Sequence, residues 1–286
     1  MASLRQIRGR LRSIQSTKQI MRAMQLVSGS KLKRAQTRLV QARAMLGFLD
    51  GLLQRILAST TNLEHPLCKP NPVAPETLVI FTSDTGLCGS YNTNLIQLAE
   101  ATLQRDTLKR TEIVFIGKKG HRYFTKRGYR ASEAYLNLAG RPNLEKADAI
   151  AKQLMERFLA GKTSAVQVLY SKFLSAMSYK PTLVQWLPIQ LDAKEQKPGA
   201  QLEYIFEPSP QRIFEDLLPR WALAKFGLML LEAFTSEHSA RMIAMKNATD
   251  NAEELLKSLT RQRNKIRQAS ITKELSEIVG TAEALK

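Results

Sequence analysis

The stretch Leu4 to Ile56, LRQIRGRLRSIQSTKQIMRAMQLVSGSKLKRAQTRLVQARAMLGFLDGLLQRI, decides the fold. Written in heptads from Leu4, one seam is Leu4, Leu11, Lys18, Gln25, Leu32, Leu39, Leu46 and Leu53. The other is Ile7, Ile14, Met21, Ser28, Ala35, Ala42, Leu49 and Ile56. Thirteen of these sixteen positions are apolar. A period of 3.5 held this long predicts a coiled coil. No proline precedes Pro66, and Ser3 with Gln6 has capping-box spacing. At 1.5 Å per residue such a helix is a rod of roughly 80 Å.

The far end repeats the pattern. A seam runs through Leu217, Trp221, Ala224, Leu228, Leu231, Thr235, His238, Met242, Met245, Thr249, Ala252, Leu256, Leu259, Arg263 and Ile266. Ser209 and Pro210 fit an N-cap and first helical residue. Pro219 predicts a kink or break near Leu218. Beyond Ile266 the seam drifts, with Leu275 and Ile278 in another phase. Neither stripe is stable alone in water, so the two terminal helices are expected to pair antiparallel once the chain returns. Lys18, Gln25 and Ser28 interrupt one seam; Thr235, His238 and Arg263 interrupt the other. Such residues either set register or mark where the pair faces another protein.

Between the helices the pattern changes. His65 to Pro75 holds four prolines and reads as a linker. Strands are predicted at Thr77–Thr82, Glu112–Ile116, Ala165–Tyr170 and Thr182–Leu187, and helices at Asn94–Gln104 and Glu145–Leu159. Alternating strands and helices argue a small, mostly parallel, Rossmann-like sheet, with an antiparallel edge at Leu183–Leu187. The fold class expected is therefore α/β plus long helices: an antiparallel coiled coil of the terminal helices with an inserted α/β domain. The expected division is helix over 1–60, linker over 61–76, α/β domain over 77–208 and helix over 209–286.

Charge narrows the partner. The 286 residues include 43 basic and 25 acidic side chains, a net of +18. That excess implies an acidic partner, whether nucleic acid, membrane surface or protein. No apolar run is long enough to span a membrane. Two cysteines, Cys68 and Cys88, are too few for a disulfide framework. Arg5, Arg8, Arg10 and Arg12 with no acid before Asp50 are reminiscent of a transit peptide. Yet the heptads begin at Leu4, so the segment is expected to belong to the mature fold.

Catalytic signatures fail one by one. Gly161-Lys-Thr163 ends like a phosphate loop, but position 156 is Glu where that motif needs glycine, and a helix precedes it. A helix C-terminal glycine fits better. Asp84-Thr-Gly86-Leu-Cys-Gly89 lies between a strand and a helix but does not satisfy the dinucleotide fingerprint. Tight-turn glycines explain it, and Cys88 has no companion histidine in sequence. His65, His121 and His238 lack ligand spacing with the cysteines, so no metal or other cofactor is expected. Methionines 21, 24, 45, 242 and 245 fit adaptable helix packing.

Several segments together resemble gamma subunits of F-type ATP synthases. They are Ile7-Arg-Gly-Arg-Leu-Arg-Ser-Ile-Gln-Ser-Thr-Lys-Gln-Ile20 with Met24–Lys31, Thr82–Asn94, Ser236–Asn251 and Asn264–Ile278. The resemblance covers the chain in order. It implies a rotor shaft: a coiled coil inside a ring of alpha and beta subunits, and an α/β domain on the epsilon subunit and the membrane c-ring. Proton or sodium flow would turn the ring, and ATP chemistry would belong to the beta subunits. The chain itself would be no enzyme. The resemblance further implies that Gln268, Thr272, Glu274 and Arg241 are gripped by beta-subunit loops, and that Tyr204 and Glu207 face the c-ring. Arg5, Arg8, Lys31, Lys33, Arg34, Arg38 and Arg43 would offer broad attraction to acidic loops.

The segment Trp186–Pro210 is short and lacks cysteine, unlike the regulatory insert of chloroplast gamma subunits. With no evident leader, this suggests a bacterial protein peripheral to the cytoplasmic side of the cell membrane, touching membrane only through the c-ring. The alternative is a basic coiled-coil protein that binds nucleic acid. Against it, no reading motif is recognised on the basic helix.

Overall fold

Heptad periodicity is a local property, and both terminal segments do form helices. The computed structural model describes residues 4–60, 63–69, 72, 74–105, 111–138, 144–190 and 206–284. Helix α1 spans Leu4–Ser59 and helix α5 spans Pro210–Ala284. All sixteen predicted seam positions of α1 are buried or half-buried, as are all fifteen of α5. The chain divides into two compact units, residues 1–29 with 241–286, and residues 30–240.

The first unit is the antiparallel pairing of the start of α1 with the later part of α5. Lys18 Nζ meets Glu253 Oε2 at 2.9 Å, and a side chain added at Gly29 would touch Met242 Sδ at 3.5 Å. The eleven steps along the chain from Lys18 to Gly29 match the eleven from Glu253 back to Met242. An ion pair thus stands at one of the polar interruptions of the seam. Its Lys18 ammonium, first through the hydrogen bond and then through charge, holds the Glu253 carboxyl below its ordinary value.

The second unit is built on a five-stranded sheet. Its strands are β1 Glu76–Phe81, β2 Glu112–Ile116, β3 Ala131–Tyr135, β4 Ala165–Ser175 and β5 Ser178–Leu187. Their order is β3-β2-β1-β4-β5, parallel except for the β4–β5 hairpin. Alternation along β1 sends Leu78 and Ile80 to one face and Val79 and Phe81 to the other. The first face packs on helix α2, Tyr91–Arg105, and helix α3, Lys118–Thr125, through Tyr91, Leu95 and Phe124. The second packs on helix α4, Leu144–Leu159, and on the nearby turns of α1 and α5, through Leu154, Leu53 and Phe226. Both faces are covered, which is why β1 reads as a continuous apolar run.

The helix α5 does not break at Pro219. Proline removes the hydrogen bond to the carbonyl four residues back, that of Glu215. His65 lies beside Glu215, and its Nδ1 accepts from Leu67 N at 3.1 Å. Phe214, Leu218 and Ala222 around the proline are fully buried, and Trp186 Nε1 donates to the Ala222 carbonyl at 2.9 Å. Core burial of that order, about 2 kcal/mol per large side chain, offsets the lost bond. A single 3-10 turn, Pro66–Cys68, forms inside the expected linker, and two further elements, α3 and β3, are not marked by the sequence pattern. The first is short and carries an internal glycine, and the second, ASEAY, lies at the sheet edge with no apolar run.

Candidate partner interface

Helix α5 leaves its seam after Ile266. Every residue from Arg267 to Thr281 is exposed, including Gln268, Thr272 and Glu274. Their ties are local: Ser270 Oγ donates to Glu274 Oε1 at 3.3 Å, and Ser276 Oγ donates to the Thr272 carbonyl at 2.9 Å. On the same stretch Leu275 and Ile278 are 58% and 63% exposed. Apolar side chains shown to water along one helix mark a surface made to be covered. The unit formed by residues 1–29 and 241–286 holds fifteen basic and six acidic residues. It therefore carries half of the chain's net +18 on about a quarter of its length.

The other sequence-predicted residues fare differently. Arg241 is only 6% exposed, and the residues just before it are buried too. Ser236 Oγ donates to the Ser171 carbonyl at 3.0 Å, and Ser239 Oγ donates to the Ala176 carbonyl. These serines fasten α5 to the β4–β5 hairpin. Glu207 is exposed, just ahead of α5, and Tyr204 lies outside the described residues. Arg43 does not belong with the freely offered cations. Its guanidinium binds Glu232 Oε1 at 2.6 Å and the Phe173 carbonyl at 2.7 Å. Sequence spacing gave no sign of that pair, because its members are remote in the chain.

The β1–α2 turn is closed by its own groups. Asn92 accepts from Ser83 N at 3.0 Å and donates to Ser83 Oγ at 2.7 Å and to Cys88 Sγ at 3.1 Å. Asp84 Oδ1 accepts from Lys118 N at 3.0 Å and Asn137 N at 3.1 Å. Those amides are thereby turned inward. Cys88 is buried at 2% exposure, a poor place for a nucleophile. At the end of α4, Gly161 has φ +70, its amide bonds the Phe158 carbonyl, and Lys162 N bonds that of Arg157. That is a Schellman cap and not a phosphate loop. Among the described residues no cluster of His, Cys, Asp or Glu could hold a metal ion. No described helix is long and apolar enough to cross a membrane.

Comparison with known proteins bears on the whole chain. A family model described as ATP synthase matches residues 3–285. The ATP synthase gamma chain of Anaeromyxobacter sp. (strain Fw109-5) is 42% identical over 293 residues, covering 100% of both chains. That of Desulforamulus reducens is 39% identical over 286 residues, again over 100% of both. Among solved structures, a chain of the Euglena gracilis mitochondrial ATP synthase in rotational state 3 aligns with a TM-score of 0.68 at 20% identity. It covers 99% of this chain and 94% of the other, so the fold is shared from end to end.

Proposed function

The chain belongs to the ATP synthase family as a gamma chain, a non-catalytic subunit of the central stalk, and we propose how it does that work. Its coiled coil sits within the ring of alpha and beta subunits and turns there. Its α/β body meets the epsilon subunit and the c-ring, which is its only link to the membrane. Rotation of the c-ring, driven by proton or sodium flow, is passed by the shaft to the beta subunits, where ATP is made or split. Functionally, residues 1–60 and 209–286 are shaft, 61–76 linker and 77–208 body.

The observation that carries this reading is the bare end of α5. Gln268, Thr272 and Glu274 stand on a fully exposed helix beside uncovered Leu275 and Ile278. An unpartnered helix with such side chains is stable in water only at a cost. The surplus of positive charge around it gives non-directional attraction to acidic loops, which suits a part that must turn in its sleeve. Glu207 offers a carboxylate to basic c-ring loops, with Tyr204 beside it in sequence. Arg241, buried in the free chain, is the further residue assigned to the beta-subunit grip. The rival reading, a nucleic-acid-binding coiled coil, gains no support from the relatives.

Reconstitution tests the proposal. The purified chain should not hydrolyse ATP, and adding it to alpha and beta subunits should produce rapid hydrolysis. Turnover by the chain alone, or a head indifferent to its presence, would overturn the proposal.

A further inference from the structure

A pocket of about 480 Å³ opens where the β4–β5 hairpin meets α1 and α5, within the unit of residues 30–240. Its volume lies in the range of small-molecule sites. Leu46, Leu174, Val184, Leu228 and Met229 form apolar walls, and Arg43, Lys172 and Lys225 bring positive charge. Glu232 is the one acidic residue of the lining, and it is already bound to Arg43 at 2.6 Å. Lys172 and Lys225 have no carboxylate within ion-pair distance among the described residues. Lys225 is half-buried, with its ammonium 4.4 Å from the centre of the Trp221 ring.

We propose that this pocket binds an amphiphilic carboxylate, its head group paired with Lys225 and Lys172 and its alkyl tail laid on Leu46, Val184 and Leu228. The charge balance selects the head group. The lining has three cations and a single anion that is spoken for, so an entering anion is attracted and an entering cation repelled. The walls select the tail, since each methylene removed from water adds favourable free energy. Lys225 supplies a second argument. Burial pushes its ammonium below the ordinary lysine value, and Asp50 only partly opposes this. A carboxylate beside it would remove that penalty.

The test uses the full-length chain and radiolabelled decanoate below its micellar range, measured by equilibrium dialysis at low and high salt. Saturable binding to one site is expected, weakened by salt. Decanol and inorganic phosphate, each lacking one half of the chemistry, should compete poorly. Lys172→Gln, at an exposed position, and Lys225→Met should each weaken binding by about tenfold, and Leu228→Glu should abolish it. Circular dichroism verifies folding of the variants, and the competition series on the unmodified chain stands without them. Non-saturable uptake, or equal affinity in Lys172→Gln and the unmodified chain, would overturn the proposal. So would loss of decanoate binding on assembly with the other stalk and head subunits, which would assign the pocket to a protein partner.

Discussion

Arg43 on α1 and Glu232 on α5 are joined at 2.6 Å, with the Glu232 side chain only 4% exposed. Two residues 189 positions apart thus lock the first helix to the last. Burial, and next the Glu232 carboxylate beside it, push the Tyr170 hydroxyl far above its ordinary value. Removing Arg43 leaves a buried carboxylate without its cation. We expect Arg43→Met to destabilise the chain by about 2–3 kcal/mol, and the double variant with Glu232→Met to regain most of that. Urea unfolding checks it: the midpoint should fall at constant slope in the single variant only. A single variant as stable as the parent would show that the pair is dispensable.

The proposed grip residues should separate into two classes. Arg241 is buried, so Arg241→Ala should lower the melting temperature of the free chain by several degrees. Gln268 and Thr272 are exposed, so their alanine variants should stay within about 0.5 kcal/mol of the parent. In the reconstituted head, however, both are expected to reduce ATP hydrolysis. Full activity for both would place the grip elsewhere.

His65 makes stability depend on pH. Burial lowers its pKa below the ordinary 6.5, and Glu215 only partly opposes that. Below pH 6.5 the unfolded chain therefore binds a proton that the folded chain still resists. Stability should be at its full value above that pH, fall as pH drops toward the folded-state value, and then level off. The neutral ring is needed because Nδ1 accepts from Leu67 N. Comparing unfolding free energies of the chain and a His65→Gln variant between pH 7 and 5 isolates the effect, which the variant should lack.

Gly117 has φ +102, and a Cβ there would lie 2.0 Å from the Thr82 carbonyl oxygen. Gly117→Ala should cost about 3 kcal/mol through backbone strain and the displaced β1–α2 turn. Thermal unfolding reads this out directly. A shift of a degree or less would mean the turn relaxes freely.

Glu207 tests the foot. Glu207→Lys should leave hydrolysis by the head largely intact yet weaken ATP-driven ion pumping in membranes. Unchanged pumping would remove Glu207 from the c-ring contact.

What the sequence determined by itself was whatever depends on neighbours in the chain. The seams of α1 and α5 follow from a 3.5-residue period, and β1, β2 and β4 from short apolar runs. The end of the seam at Ile266 was visible for the same reason, as was the antiparallel edge strand, whose alternation shows one face to water. Gln268, Thr272 and Glu274 were legible as polar positions past that end. Tertiary structure decided the rest. Pro219 stays helical because the buried shell of Phe214, Leu218 and Ala222 compensates it. Arg43 is tied down because Glu232 stands opposite it, 189 residues along the chain. Arg241 lies buried instead of exposed, and β3 forms because β2 offers an open edge. Each of these depends on a partner that chain proximity does not supply, and such a partner is specified only when the chain has folded.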